Sequence, residues 1–190
     1  WDESRLRDRL EQYVGGRYGH PHSVGVIDET SFVKKGDQTA CVQRQHCGAV
    51  GKQENCVVSV HLVYATPDFH TLIDGDLFLP EHTWDADRDR CRKAGIPDSV
   101  VHRPKSQIAL EQLRRAVSNG IRFAWVTFDE GYGRSVPFLR ELDQMGQNFV
   151  AEIPQDTMVR TACPKVLYKA RPQDRRPGRQ KRYPRLKVKN

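Results

Sequence analysis

The order of its apolar segments limits what this chain can fold into. Ser23–Asp28, with a Val-Gly-Val-Ile centre, and Cys56–Ala65, rich in β-branched residues, read as strands. Phe69–Leu79 reads as a third strand, broken near Asp74-Gly75-Asp76. Ser31–Val42 is polar, and its Lys34-Lys35-Gly36-Asp37 turn predicts a hairpin with what precedes it. Strands that follow one another this closely form an antiparallel meander. The pattern then changes. Asp85–Ala94 predicts a short helix or turn ending at Gly95. Ser106–Asn119 carries Ile108, Leu110, Leu113, Ala116 and Val117 at helical spacing, with Gly120 in place to end the helix. Ile121–Phe128 is almost continuously apolar, the pattern of a strand covered on both faces. Ser135 is placed to cap a helix with Phe138, Leu139, Leu142 and Met145 on its apolar side, ended by Gly146. Asn148–Ile153 predicts a last strand, closed by Pro154. Strands in a run, then helix, strand, helix, strand, give an α/β fold whose mixed sheet has a parallel part and flanking helices.

A first helix is expected over Glu3–Val14, with Leu6, Leu10, Tyr13 and Val14 on one side and Gly15-Gly16 as its stop. The expected organisation is a helical lead-in over 1–19, a core over 20–160 and a basic tail over 161–190. The chain begins at Trp1, which predicts a start inside a longer polypeptide. The net charge of +7 is concentrated at the other end: residues 160–190 hold twelve Lys or Arg and a single acid, Asp174. A basic, Pro-containing tail of this kind is expected to be disordered alone and to order on a polyanion such as nucleic acid. No apolar run approaches the ~20 residues of a membrane span, so no membrane partner is expected. Five cysteines without a Cys-x-x-Cys motif fit free thiols in a reducing compartment, which points to the cytoplasm. Cys41, His46, Cys47 and Cys56 match no standard zinc-finger spacing. Trp84 and Trp125 are expected to be core or packing residues.

Two aspartates end apolar runs: Asp28 after Val24-Gly25-Val26-Ile27 and Asp129 after Val126-Thr127-Phe128. For either aspartate alone, a turn residue or a helix N-cap would be the better explanation. A ribonuclease-H-like fold has this order of elements and sets its first and fourth strands side by side and parallel. Both carboxylates would then meet at the loop edge of the sheet, where open α/β sheets bind ligands. Paired hard oxygen donors suit Mg²⁺ or Mn²⁺ and metal-assisted phosphoryl transfer. Glu29 and Glu130 follow their aspartates and should face the other way. Gly131-Tyr132-Gly133 predicts a tight turn beside Asp129. Lys34, Lys35, Arg44 and Lys52 are candidate phosphate contacts, as are Arg175, Arg176, Arg179, Lys181 and Arg182 in the tail. No histidine stands beside a Ser or Cys in a nucleophile pattern.

The chain resembles the DDE-superfamily transposases of bacterial insertion sequences. The resemblance is carried by Val24-Gly25-Val26-Ile27-Asp28-Glu29-Thr30 with Lys34-Lys35-Gly36, by Val42-Gln43-Arg44-Gln45, by Gly51-Lys52-Gln53-Glu54-Asn55-Cys56 and by Leu77-Phe78-Leu79-Pro80. It continues through Phe123–Gly133 and Ile153-Pro154-Gln155-Asp156-Thr157, so it spans residues 20–160. It implies a ribonuclease-H-like catalytic core that cuts and joins double-stranded DNA at transposon ends with a divalent metal, often as a dimer. Asp28 matches the first acidic position and Asp129 the second. The third is a Glu on a later helix, beyond an inserted β-rich segment, and no Glu follows Glu152 here. The expectation is therefore a catalytic-core fragment that lacks its third ligand and cleaves little by itself. The alternatives are a non-catalytic, DNA-binding or inhibitory remnant and, further off, an aspartate-nucleophile phosphohydrolase. The latter usually has a second acid two residues on, where this chain has Thr30.

Overall fold

A computed structural model of the chain describes residues 2–159 and 186–187. Its elements are α1 (Glu3–Tyr18), β1 (Val24–Val33), β2 (Gln43–Cys47), β3 (Lys52–Ala65), β4 (His70–Leu77), a π turn (Glu81–Asp85), α2 (Arg88–Lys93), α3 (Lys105–Ser118), β5 (Trp125–Phe128), α4 (Glu130–Gly133), α5 (Val136–Gln144) and β6 (Phe149–Ala151). A two-residue pairing of β7 (Met158–Val159) with β8 (Leu186–Lys187) stands apart. The rest of the basic tail, with Arg175, Arg176, Arg179, Lys181 and Arg182, lies outside the described residues.

The main sheet runs β2-β3-β1-β5-β6, and β4 adds to β3. β3 is antiparallel to β1, β2 and β4, while β1–β5 and β5–β6 are parallel. This is the mixed sheet of a ribonuclease-H-like fold, with the first strand central and parallel to the strand that follows α3. β2 is an extra short strand against the start of β3. Sequence reasoning placed a hairpin over Ser31–Val42; instead β1 continues to Val33 and Lys34–Val42 is a connection. The polar Gln43–His46 alternates without an apolar face, which hid β2 from a hydrophobic reading.

Alternation along the strands sends Ile27, Leu62, Tyr64, Val126 and Phe128 to one face, where they form a core with Val14 of α1, Ile108 and Leu113 of α3, and Phe138 and Leu142 of α5. The opposite face carries Val26, Val63, Trp125, Val150 and Leu72, and Trp125 is 49% exposed. This corrects two expectations. Trp125 is not a core residue, and Ile121–Phe128 is not a strand covered on both faces. Only Trp125–Phe128 is strand, because Ile121 and Phe123 enter the core from an irregular approach. Trp84 is in the core, 1% exposed, with its indole N–H donating to the Val42 carbonyl at 2.7 Å.

α1 does not stop at Gly15-Gly16. Its glycine serves a close approach: a Cβ on Gly15 would lie 3.3 Å from the backbone of Gly120, the φ +97° residue that ends α3. Of the four apolar positions read on α1 only Val14 is buried; Leu6, Leu10 and Tyr13 are exposed. Charge docks the helix instead. Arg7 bridges Asp74 and Asp76 of β4 at 3.1 and 2.8 Å, and Arg115 of α3 reaches Asp74 from its other side at 3.5 Å. The register of β4 skips Ile73, turning Asp74 towards the helices; the irregularity lies there rather than as a break at Asp74–Asp76.

Glu11 sits beside this network, fully buried, and accepts from Asn119 Nδ2 at 2.6 Å. Burial pushes its carboxyl up to about 7, and nearby Asp74 adds to the rise. A carboxyl that holds its proton more tightly folded than unfolded stabilises the fold fully only below its unfolded value. That contribution is lost as pH rises through about 7. Glu11→Gln is therefore expected to raise the melting temperature at pH 8, by an equivalent of ~1–2 kcal/mol, and to change little at pH 4. Melting curves at the two pH values check this; an equal effect at both would show that the proton plays no part.

The four cysteines among the described residues, Cys41, Cys47, Cys56 and Cys91, are buried free thiols. No helix among the described residues is long and apolar enough to cross a membrane.

Candidate metal centre at the sheet edge

The parallel ladder of β1 and β5 ends at Ile27 opposite Phe128, so Asp28 and Asp129 are the next residues on neighbouring strands. Strands lie ~4.8 Å apart, so the two residues leave the sheet from neighbouring backbone positions at one edge. Both residues are exposed. Each spends one oxygen on local backbone. Asp28 Oδ1 accepts from Glu29 N at 2.7 Å, and Asp129 Oδ1 accepts from Gly131 N and Tyr132 N at 2.9 and 3.4 Å. Asp129 is thus also the N-cap of α4. The cap uses one oxygen of this side chain and leaves the other free, so capping does not occupy the whole carboxylate.

The tight turn expected at Gly131-Tyr132-Gly133 is this single turn of helix. A Cβ on Gly133 would lie 1.9 Å from the Glu152 carbonyl oxygen, and one on Gly131 3.0 Å from the Asp129 carboxylate. The glycines let α4 sit directly on the exit of β6 and hold its cap. Gly133→Ala must push α4 off β6, so we expect a loss of ~3 kcal/mol or more in chemical denaturation, with a smaller loss for Gly131→Ala. A Gly133→Ala protein as stable as wild type would show that the contact is slack.

His61 of β3 stands directly opposite Asp28. Burial holds its imidazole below the usual histidine range, against the pull of Asp28 and Asp74. Its Nε2 shares a 2.7 Å hydrogen bond with Ser59 Oγ. The sequence offered no signal for this neighbour, since the pairing register alone brings residues 28 and 61 together. Glu29 points to the helix face, as alternation requires, and pairs with Lys105 at the start of α3. Beneath it Tyr132 is 2% exposed, and burial with the charges of Glu29, Asp129 and Asp28 raises its phenol well above the usual range. Glu130 is exposed and pairs with Arg134 at 3.2 Å.

Lys34, Lys35, Arg44 and Lys52 gather elsewhere. β1 runs five residues past Asp28 to Val33, ~17 Å at strand spacing, before Lys34 bonds the Asn55 carbonyl. Arg44 stands opposite Asn55 and, like Lys52, faces Glu54, at 4.0 and 3.5 Å respectively. Arg44 and Lys52 sit on the β2–β3 hairpin and the Lys34 backbone is tied to it at Asn55, apart from the aspartates. Among the described residues no three His, Cys, Asp or Glu side chains are placed to share a metal. The aspartates are two hard oxygen donors with a free oxygen each, which fits divalent-cation ligation but leaves the ligand set short of a third carboxylate.

A family model described as DDE superfamily endonuclease matches residues 1–190. A protein of Microchaete diplosiphon named "Probable transposase for insertion sequence element IS701" is 31% identical over 157 residues, covering 80% of this chain. The aligned stretch is 37% of that relative's own length, so the chain spans little more than a third of it. No solved structure matches.

Proposed function

The chain belongs to the DDE superfamily of endonucleases, and on that premise we propose that it is the part of a DNA transposase that supplies the first two metal-binding carboxylates, Asp28 and Asp129. The single observation that supports this most is the parallel register ending at Ile27 and Phe128, which brings two distant acids to one sheet edge. In this reading a bound Mg²⁺ or Mn²⁺ would polarise a DNA phosphate and activate the attacking oxygen. The protein's own part is to hold two carboxylates rigidly at strand ends. Capping by Asp129 fixes one of them against α4, and Asp28 is fixed by the bond to its own following amide. The third carboxylate would approach from the bare side of the sheet, where Val26, Trp125 and Val150 have no covering element among the described residues. Transposon-end duplex DNA is the proposed substrate and a homodimer the proposed working form.

The test is strand cleavage of a transposon-end duplex by the complete protein, with Mg²⁺, with Mn²⁺ and with EDTA. Cleavage that depends on either metal supports the reading; cleavage undiminished in EDTA overturns it. Residues 1–190 alone are expected to cleave little, because two carboxylates hold a cation loosely. Robust metal-dependent nicking by this segment would show that two donors suffice.

A further inference from the structure

The parallel ladder of β1 with β5 ends at Ile27 and Phe128, one residue short of the two aspartates. Each carboxylate is held by a backbone amide instead. Glu29 N donates to Asp28 Oδ1 at 2.7 Å. Tyr132 N donates to Asp129 Oδ1 at 3.4 Å, beside the 2.9 Å bond from Gly131 N. The side chains of Glu29 and Tyr132 then meet on the helix side of the sheet. The Tyr132 hydroxyl donates to the Glu29 carboxylate, and Lys105 at the start of α3 pairs with Glu29 Oε2. Tyr132 is 2% exposed, and its ring packs against Phe128 and Phe138 with centroids 6.4 and 5.7 Å away. A phenylalanine would fill the same space. Burying a hydroxyl costs free energy unless it finds a partner, and a bond to a charged acceptor is stronger than a neutral one. The packed ring fixes the hydroxyl, and the hydroxyl fixes Glu29 against α4. Lys105 holds the same carboxylate from α3.

We propose that Glu29 and Tyr132 are positioning residues that set the spacing of the two metal-binding carboxylates. The path runs from the Asp28 carboxylate to the Glu29 amide, through the joined side chains, and on to the Tyr132 amide and the Asp129 carboxylate. The proposal rests on the reading of Asp28 and Asp129 as metal ligands. It adds to that reading a brace on the opposite side of the sheet. Strand alternation turns Glu29 away from Asp28, so its part is to hold the ligand and not to be one.

The experiment uses the complete protein and two readouts. Mn²⁺ binding without DNA is followed by the loss of the free-ion electron paramagnetic resonance signal. The Mn²⁺ concentration for half-maximal cleavage of a transposon-end duplex is measured beside it. Tyr132→Phe keeps the ring and removes only the hydroxyl. It is expected to weaken Mn²⁺ binding about tenfold and to raise the half-maximal concentration by the same factor, with cleavage recovering at saturating Mn²⁺. Glu29→Leu should do the same. Glu29→Gln keeps an oxygen that accepts from the hydroxyl, so its Mn²⁺ affinity should return close to wild type. The double variant Tyr132→Phe with Glu29→Leu should be no worse than either single one, as expected of two residues that act through one bond. A merely structural role would lower the melting temperature and leave Mn²⁺ affinity unchanged. Wild-type Mn²⁺ affinity in a folded Tyr132→Phe protein would overturn the proposal, and so would losses that add in the double variant. If Tyr132→Phe does not fold, Glu29→Leu and its rescue by Glu29→Gln decide the same question, since Glu29 is only partly buried. Failure of the underlying metal reading looks different: the wild-type protein itself would then bind no Mn²⁺, which overturns both.

Discussion

In the complete protein, Asp129→Asn is expected to cut metal-dependent DNA cleavage about a thousandfold while leaving the melting temperature nearly unchanged. A metal-bound oxygen is worth several kcal/mol of barrier, and each ~1.4 kcal/mol is tenfold in rate. The substitution is chosen because Asp129 does two things. Its Oδ1 accepts from the first amides of α4. Asn caps a helix about as well as Asp, so the amide oxygen preserves the turn and only the charge is removed. Asp129→Ala removes both, and should add an unfolding cost of ~1 kcal/mol to the same kinetic loss. Asp28→Asn is expected to match Asp129→Asn in rate, since the two stand at equivalent places on adjacent strands. Retained cleavage in Asp129→Asn would reduce that residue to a cap and remove the metal centre from this edge.

Arg7→Met is expected to destabilise the fold by about 3 kcal/mol, seen as a fall of roughly 8 °C in melting temperature. The Asp74 side chain is fully buried and is held by Arg7 and Arg115 from two helices. Burial raises its carboxyl, and the two guanidiniums pull it back. Taking one partner from a buried ion pair leaves a charge short of compensation, which costs more than the pair itself is worth. Arg115 remains, so the loss is at the lower end of what such breaks cost. Adding Asp74→Asn to Arg7→Met removes the stranded charge and should return at least ~1 kcal/mol, a non-additivity expected of residues in one network. Strict additivity would mean that α1 is held by other contacts.

Some of this was legible in the residues alone. α3 was clear because its apolar positions repeat at helical spacing and Gly120 supplies the positive φ that ends it. The parallel placement of β1 beside β5 followed from element order, and with it the position of Asp28 and Asp129 just past the ends of neighbouring strands. α1 was only half legible. Its apolar residues suggested a buried stripe, but salt bridges do the docking, and its Gly15-Gly16 resembled a stop while serving contact with Gly120. β2 has no apolar alternation to betray it, because it is a polar strand held by backbone pairing to β3. Trp125 looked like core from its apolar neighbours. Which face of β5 is covered depends on where the helices pack, and α1, α3 and α5 pack on the other one.

The residue order by itself determined most of the strand and helix sequence, the family and the two strand-end carboxylates, since periodicity and local motifs are properties of neighbouring residues. Only the tertiary structure decided what stands around them. The register set His61 against Asp28, the approach of α4 to β6 demanded Gly133, and the packing of α3 and α5 opened a cavity behind Glu29. Each of these joins residues far apart in the chain, and such distances are fixed by pairing and close packing, which no local pattern encodes.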